Sequence, residues 1–200
     1  MDEKALYKIE SGLCVAISKT IKDNGCIINT LMQVCFEPKK VIVSLNNINY
    51  TTNMIAESRK LNVCILDNTV PFNVVENFGF NSGKSFDKFN IDYASKANNG
   101  LMYLNKYSNA YLSLNVDSTI NLGSHTLFIC DVEDAKALND NPTCSYDYYH
   151  KHVKKAPVSK KTKGYRCSVC GYVYEGEILP DDFICPICYQ GVDVFVKIEE

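Results

Sequence analysis

Tyr165-Arg166-Cys167-Ser168-Val169-Cys170-Gly171-Tyr172 is followed, after a short spacer, by Leu179-Pro180-Asp181-Asp182-Phe183-Ile184-Cys185-Pro186-Ile187-Cys188. The two stretches hold two CxxC hooks. Hooks at that separation bring four thiolates, from Cys167, Cys170, Cys185 and Cys188, around one metal ion. An all-sulfur tetrahedral set suits zinc or iron and little else. Each hook offers its sulfurs from a tight turn, and backbone N–H groups around it can donate to the thiolates; such donors help set a reduction potential. Gly171, directly after the first hook, suits a turn that needs positive φ. Spacing alone leaves both metals open, because a structural zinc ribbon uses the same pattern as an electron-carrying iron centre.

The residues around the hooks separate the two. Tyr165 to Gly176 closely resembles the first half of rubredoxin, and Leu179 to Cys188 resembles the second half. Phe195 lies where that family places another core aromatic. The resemblance covers roughly residues 164–200 and implies one iron ion held as Fe(Cys)4, with one-electron chemistry and no exchangeable ligand. The stretch between the hooks is shorter than in free-standing rubredoxins, as in rubredoxin modules fused to larger proteins. Phe183 stands where the family usually has Trp, and Tyr189 where a Gly usually follows the second hook. A tyrosine at positive φ costs about 1 kcal/mol or more. The second hook is therefore expected to differ from the first in shape or hydrogen bonding.

Upstream of the hooks, residues 151–163 contain six lysines and a proline, with little apolar content and no helical stripe. That composition reads as a solvated tether. It joins a larger domain, residues 1–150, to the small domain, residues 164–200. The small domain carries seven acids against two bases, so a basic tether meets an acidic module. Over the whole 200-residue chain the net charge is −2, which gives no case for nucleic acid. No apolar run is long enough to cross a bilayer, and Met1-Asp2-Glu3-Lys4-Ala5 lacks a signal-peptide pattern, so a cytoplasmic location is expected. Six further cysteines (Cys14, Cys26, Cys35, Cys64, Cys130 and Cys144) form no close pair and read as small core hydrophobes.

In residues 1–150, strands are expected at Cys14–Ser18, Ile27–Phe36, Val41–Leu45, Val63–Leu66, Ala110–Val116 and Thr126–Val132. In the second of these, Ile28, Thr30, Met32, Val34 and Phe36 alternate onto one face. Tyr50–Arg59 suits a helix capped by Thr51 or Thr52. Pro71–Phe78 suits another, opened by the proline. Many strands with few helices predict a mainly β fold, a barrel.

Five segments of this domain carry a further resemblance. Asn24 to Val34 looks like the early strand of the flavin reductase-like split barrel, and Ser44-Leu45-Asn46-Asn47 with Asn49-Tyr50-Thr51 matches the strand end and turn that flank flavin there. Asn77 to Gly83, with Asp87-Lys88-Phe89, matches the family's FG-x-x-SG and DKF segments. Gly123-Ser124-His125-Thr126-Leu127-Phe128-Ile129 matches its G-x-HT-x-FI strand, and Tyr148-Tyr149-His150 matches the end of the domain. The resemblance implies a split β-barrel that binds FMN. Asn29, Thr30, Tyr50 and Thr51 would supply donors to its phosphate, aided by the start of a helix. Backbone groups at Leu45 and Asn46 would pair with the edge of the ring system, and Ser82-Gly83 would form a close-approach loop. The family places its strand histidine, here His125, near the flavin or the incoming electron donor, which makes it the candidate catalytic residue. Asn47 lies where many relatives carry a lysine. Read without the resemblance, Thr51 is an ordinary helix cap, Ser82-Gly83 an ordinary turn and His125 a structural strand residue. Tyr146, Tyr148 and Tyr149 read as packing or a dimer surface.

Together the two halves resemble the high-molecular-weight rubredoxins of anaerobic bacteria. That resemblance implies electron transfer between a NAD(P)H-dependent rubredoxin reductase and a diiron flavoprotein that reduces oxygen or nitric oxide, with the barrel as a homodimer. A second reading makes the barrel an NAD(P)H:flavin oxidoreductase with the iron module as an extra acceptor. A third is a structural zinc module on a ligand-binding barrel.

Overall fold

The chain forms β1 (Cys14–Lys19), β2 (Asp23–Ile28), β3 (Leu31–Cys35), β4 (Lys40–Asn46), α1 (Tyr50–Ser58), β5 (Lys60–Leu66) and α2 (Phe72–Gly79). It continues through β6 (Ala94–Lys96), β7 (Met102–Leu104), β8 (Ser108–Asn121), β9 (His125–Ala137) and the short α3 (Tyr146–Tyr148). The computed structural model describes residues 5, 8–154, 164–168, 172–185 and 190–198. It divides into two units, residues 1–154 and 155–200.

In the first unit, seven strands make one sheet in the order β2-β1-β5-β8-β9-β4-β3. Its first and last strands, β2 and β3, are joined only by Asn29 and Thr30. The sheet must therefore curl until its two edges meet at that corner, which is a barrel split along one seam. The continuous strand expected over Ile27–Phe36 is thus two strands. Asn and Thr at the corner tolerate the bend that β-branched neighbours would resist. The expected single face also divides. Ile28 is buried, but Met32, Val34 and Phe36 are 59%, 50% and 78% exposed.

β1 separates two cores. Cys14 and Ala16 face the barrel interior with Val41, Val43 and Leu45 of β4, Leu61 and Val63 of β5, and Phe128 of β9. Ile55 of α1 plugs that interior. Leu13, Val15 and Ile17 face outward onto Val74, Val75 and Phe78 of α2. A strand covered on both faces has to be apolar at nearly every position. That explains why Cys14–Lys19 shows no polar alternation.

α1 begins one residue after Asn49, which is its N-cap, and not at Thr51 or Thr52 as expected. Both threonines are buried inside the first turn, where their hydroxyls bond across to other segments. α2 starts directly after Pro71. Lys88 is buried, and its ammonium donates to Phe78 O (3.2 Å) at the end of α2 and to Gly25 O (2.8 Å) on β2. It thereby satisfies a carbonyl that the helix leaves open, at the end where positive charge is favourable. After α3, a π-helical turn at Tyr149–Val153 carries the first unit to Lys154. The sequence reading began the tether at Lys151. Ring contacts of Tyr146 with His150 and of Tyr148 with His152, and an ion pair of Lys151 with Asp147 (2.8 Å), hold these turns.

The second unit contains β10 (Gly164–Cys167), β11 (Val173–Tyr174) and β12 (Phe195–Ile198), paired in the order β11-β10-β12. Phe183 packs edge-on against Phe195 at 5.5 Å between ring centres and against Tyr174 at 4.7 Å. Tyr172 joins both phenylalanines. In a unit this small, the aromatic cluster and the hooks carry much of the packing.

Candidate functional site

Both hooks are closed in the same way. Cys167 N donates to Tyr172 O (2.8 Å), and Cys185 N donates to Gln190 O (2.9 Å), five residues ahead in each case. Ser168 N donates to Val194 O (2.8 Å), which ties the first hook to the 3₁₀ turn Val192–Val194 before β12. Cys167 and Cys185 are buried. Cys170, Cys188 and Tyr189 lie outside the described residues. Two buried sulfurs, each at the mouth of a backbone-closed loop, fit thiolate ligation of one metal.

In the first unit the candidate residues fall into two groups that meet at the start of α1. The first group sits at the ends of β4 and β9. Asn46 and His125 are directly opposed across the ladder, so their side chains share one face. Asn46 O accepts from Thr52 Oγ1 (2.7 Å) and Asn49 N (3.0 Å), which fixes the strand end to the helix. His125 Nδ1 is 2.9 Å from Ser124 Oγ. The Leu45 side chain is buried in the barrel, so only its backbone can meet a ligand. Pairing of β3 with β4 ends at Leu31 and Val43. Among the described residues no strand covers β4 on that side at Ser44–Asn46, and a planar ring edge could take the missing strand's place.

The second group lies under the loop after α2. Thr51 Oγ1 accepts from Asn24 Nδ2 at 2.9 Å. Asn24 is buried, yet its Oδ1 has no hydrogen-bond partner among the described residues. A buried unpaired acceptor is uncommon and marks a place where a bound donor group is at home. Gly83 packs on that carboxamide so closely that a Cβ there would strike Asn24 Oδ1. Ser82 is exposed, and its carbonyl and hydroxyl accept from Phe86 N and Lys84 N within the turn. Cys26 lies nearby; burial pushes its thiol up to about 11 against a hydrogen bond with Thr51 and the charge of Lys88. Asn29 and Thr30 form the corner between β2 and β3, and Tyr50 is half-buried in the first turn of α1. This combination of a helix start, a glycine loop and open polar atoms fits an elongated ligand with an anionic end.

Gly83→Ala tests the fit directly. The added methyl must push Asn24 off Thr51, an overpacking that costs about 1–3 kcal/mol. A lower urea midpoint and weaker flavin retention in a titration are the expected results; wild-type values for both would show that the loop yields.

Asn24, Asn47 and Lys88 belong to this region but carried no assigned role in the sequence. Asn24-Gly25 reads as the start of a strand, and Lys88 is one letter of the DKF segment. A buried lysine without a carboxylate beside it leaves no local sequence signal.

Comparison with known proteins agrees with both units. The family model described as "Flavin reductase like domain" matches residues 6–157, and the "Rubrerythrin, rubredoxin-like domain" model matches residues 165–196. The chain is similar to the "High molecular weight rubredoxin" of Moorella thermoacetica, at 33% identity over 99% of this chain and 100% of that protein. It is also similar to the "Ferric-chelate reductase (NAD(P)H)" of Archaeoglobus fulgidus, at 32% identity over 75% of this chain and 89% of that protein. Among solved structures, an FMN-binding protein from Thermus thermophilus shares the fold, with a TM-score of 0.60 at 17% identity, covering 66% of this chain and 74% of that one. Among the described residues no helix is long and apolar enough to cross a membrane. A flavin reductase-like barrel and a rubredoxin-like hook pair in one polypeptide, matched end to end by a single relative, place the chain in the high-molecular-weight rubredoxin family.

Proposed function

We propose that this protein is a cytoplasmic electron carrier that holds FMN in the barrel and iron in an Fe(Cys)4 centre formed by Cys167, Cys170, Cys185 and Cys188. The observation that carries this reading is the presence of both redox-type domains in one chain, on either side of the lysine-rich residues 155–163. When bound, FMN can exchange one or two electrons and the iron centre one, so the pair can join a two-electron source to one-electron steps.

The chain's own residues have defined parts in this reading. Thr51, Tyr50, Asn29 and Thr30 hold the phosphate end, and the open edge of β4 at Leu45 and Asn46 receives the ring. Ser82-Gly83 closes over it, and His125 faces the reacting edge from the strand opposite Asn46. The donor is a NAD(P)H-dependent rubredoxin reductase and the acceptor a diiron flavoprotein that reduces oxygen or nitric oxide. A homodimer is supported by the exposed apolar side chains of Met32, Val34 and Phe36, with Ile120 and Leu122 on the β8–β9 hairpin. Apolar side chains left open on an edge strand favour self-association.

Anaerobic stopped-flow spectroscopy tests the relay. After reduction of the flavin, bleaching of the iron–thiolate bands is expected, both in one molecule and in a mixture of flavin-only and iron-only proteins. If reduced flavin never passes an electron to the iron in either arrangement, the relay is wrong.

A second reading is favoured by the similarity to the ferric-chelate reductase, which covers the barrel. Here the barrel itself oxidises NAD(P)H and the iron module is an extra acceptor. Steady NADH oxidation by the pure protein, without any added reductase, selects this reading over the first.

A further inference from the structure

The tip of the β8–β9 hairpin carries His125, and three bonds from one residue on a different strand end hold it. Asn47 Nδ2 donates to Gly123 O (2.7 Å), Asn47 N donates to Ser124 O (2.9 Å), and Asn47 Oδ1 accepts from Thr126 Oγ1 (2.7 Å). The tip is also folded on itself: Leu122 N donates to His125 O (2.8 Å) and Gly123 N to Asn121 Oδ1 (2.8 Å). Gly123 sits at φ +89°, a conformation that glycine adopts without strain. Asn47 thus bonds to residues 123, 124 and 126, on both sides of His125, and engages every polar atom of its own side chain. Ser124, gripped through its carbonyl, presents its hydroxyl to His125 Nδ1.

We infer that Asn47 is a positioning residue for His125. It clamps the hairpin tip so that Ser124 Oγ stays on Nδ1, and the imidazole presents Nε2 to the flavin site in one orientation. A hairpin end is otherwise where a long ladder frays. The Ser124 hydroxyl can donate to Nδ1 or accept from it, so it holds the ring in place in either tautomer, but only while the turn is held. Thr126 contributes from the opposite face of the strand, so the clamp grips the hairpin without covering the imidazole. The inference rests on the reading of His125 as the residue nearest the reacting edge.

The test compares wild type, Asn47→Ala, Thr126→Val and His125→Gln in the full-length protein loaded with flavin and a redox-silent metal. Long-range ¹H–¹⁵N spectra of the imidazoles, with the His125 signal identified by its loss in H125Q, read the order of the ring. Amide exchange reads the hairpin tip. One sharp set of His125 ring signals is expected in wild type. Broadened or doubled ring signals and faster exchange at residues 122–126 are expected in N47A, with a smaller change in the same direction in T126V. Flavin reduction by a chemical hydride donor is expected to slow about tenfold in N47A, with flavin affinity near that of wild type. If N47A keeps the wild-type His125 ring signals and wild-type exchange at the tip, the clamp is overturned. T126V carries the same decision if N47A does not fold. If instead H125Q reduces flavin at the wild-type rate, the His125 reading fails while the spectra still decide the clamp.

Discussion

Cys185→Ala is expected to empty the metal centre and to unfold the small unit, while the barrel keeps its flavin. Cys185 is fully buried, and its N–H closes the hook on Gln190 O. In the proposed Fe(Cys)4 centre, removing this sulfur would leave three thiolates for an ion that needs four, and the remaining ligands could not close the tetrahedron. A unit of this size has too small an apolar core to stand unaided. Metal binding in such modules is worth on the order of 10 kcal/mol, and that energy is also its folding energy. Metal analysis should fall from about one iron per chain to near zero. The iron–thiolate bands should vanish, and calorimetry should lose one transition and keep another. A variant that retains stoichiometric iron would show that Cys185 is not a ligand. Retained structure without metal would show that the aromatic cluster of Tyr172, Phe183 and Phe195 suffices.

Alkaline pH is expected to unfold the barrel steeply. Burial pushes the thiols of Cys14, Cys64 and Cys130 up to about 12, and those of Cys26 and Cys144 up to about 11, from an ordinary value of 9.0. In each case the folded value lies above the unfolded one. The stabilisation is therefore complete below pH 9 and is lost as pH rises toward 11 and 12, because the unfolded chain releases protons that the folded chain keeps. Lys88 works in the opposite sense. Burial pushes its ammonium down to about 8 from 10.5, so between these values the unfolded chain holds one proton more. Five thiols against one lysine leave a net release of about four protons on unfolding near pH 10. Unfolding free energies from anaerobic urea titrations between pH 8 and pH 10.5 should be nearly level at first and then fall with a slope that, divided by 2.303RT, approaches that number. A flat profile above pH 9 would mean that the thiols reach water in the folded state. Lys88→Met should steepen the fall, since it removes the one group that opposes it.

Strands and helices with a clean local pattern were legible in the sequence. β1, β4 and α2 stand within a residue or two of where alternation, apolar runs and Pro71 put them. The corner at Asn29-Thr30 was hidden because alternation continues straight through it, from Ile28 to Met32, even though the chain changes sheet edge there. The β8–β9 hairpin is longer than expected because its outer part, Asp117–Asn121, is exposed and mostly polar, and Ile120 alone gives no alternating apolar signal. The cysteine hooks were legible because their chemistry is contiguous. The polar clamps of the barrel were not, because Asn24 finds Thr51 across 27 residues and Thr126 finds Asn47 across 79. Such pairs exist only after the barrel closes. The resemblance carried by the family motifs supplied what periodicity could not, namely which of many polar residues face one place.

One of the six scattered cysteines departs from the expectation that all would be core. Cys35 is half-buried at the end of β3, beside the exposed Val34 and Phe36, whereas the other five are buried. Mild maleimide treatment of metal-loaded protein would accordingly place a dye at a single known point of the barrel. That point borders the apolar strip, so a fluorophore there would serve as a ruler for self-assembly without touching the flavin cleft.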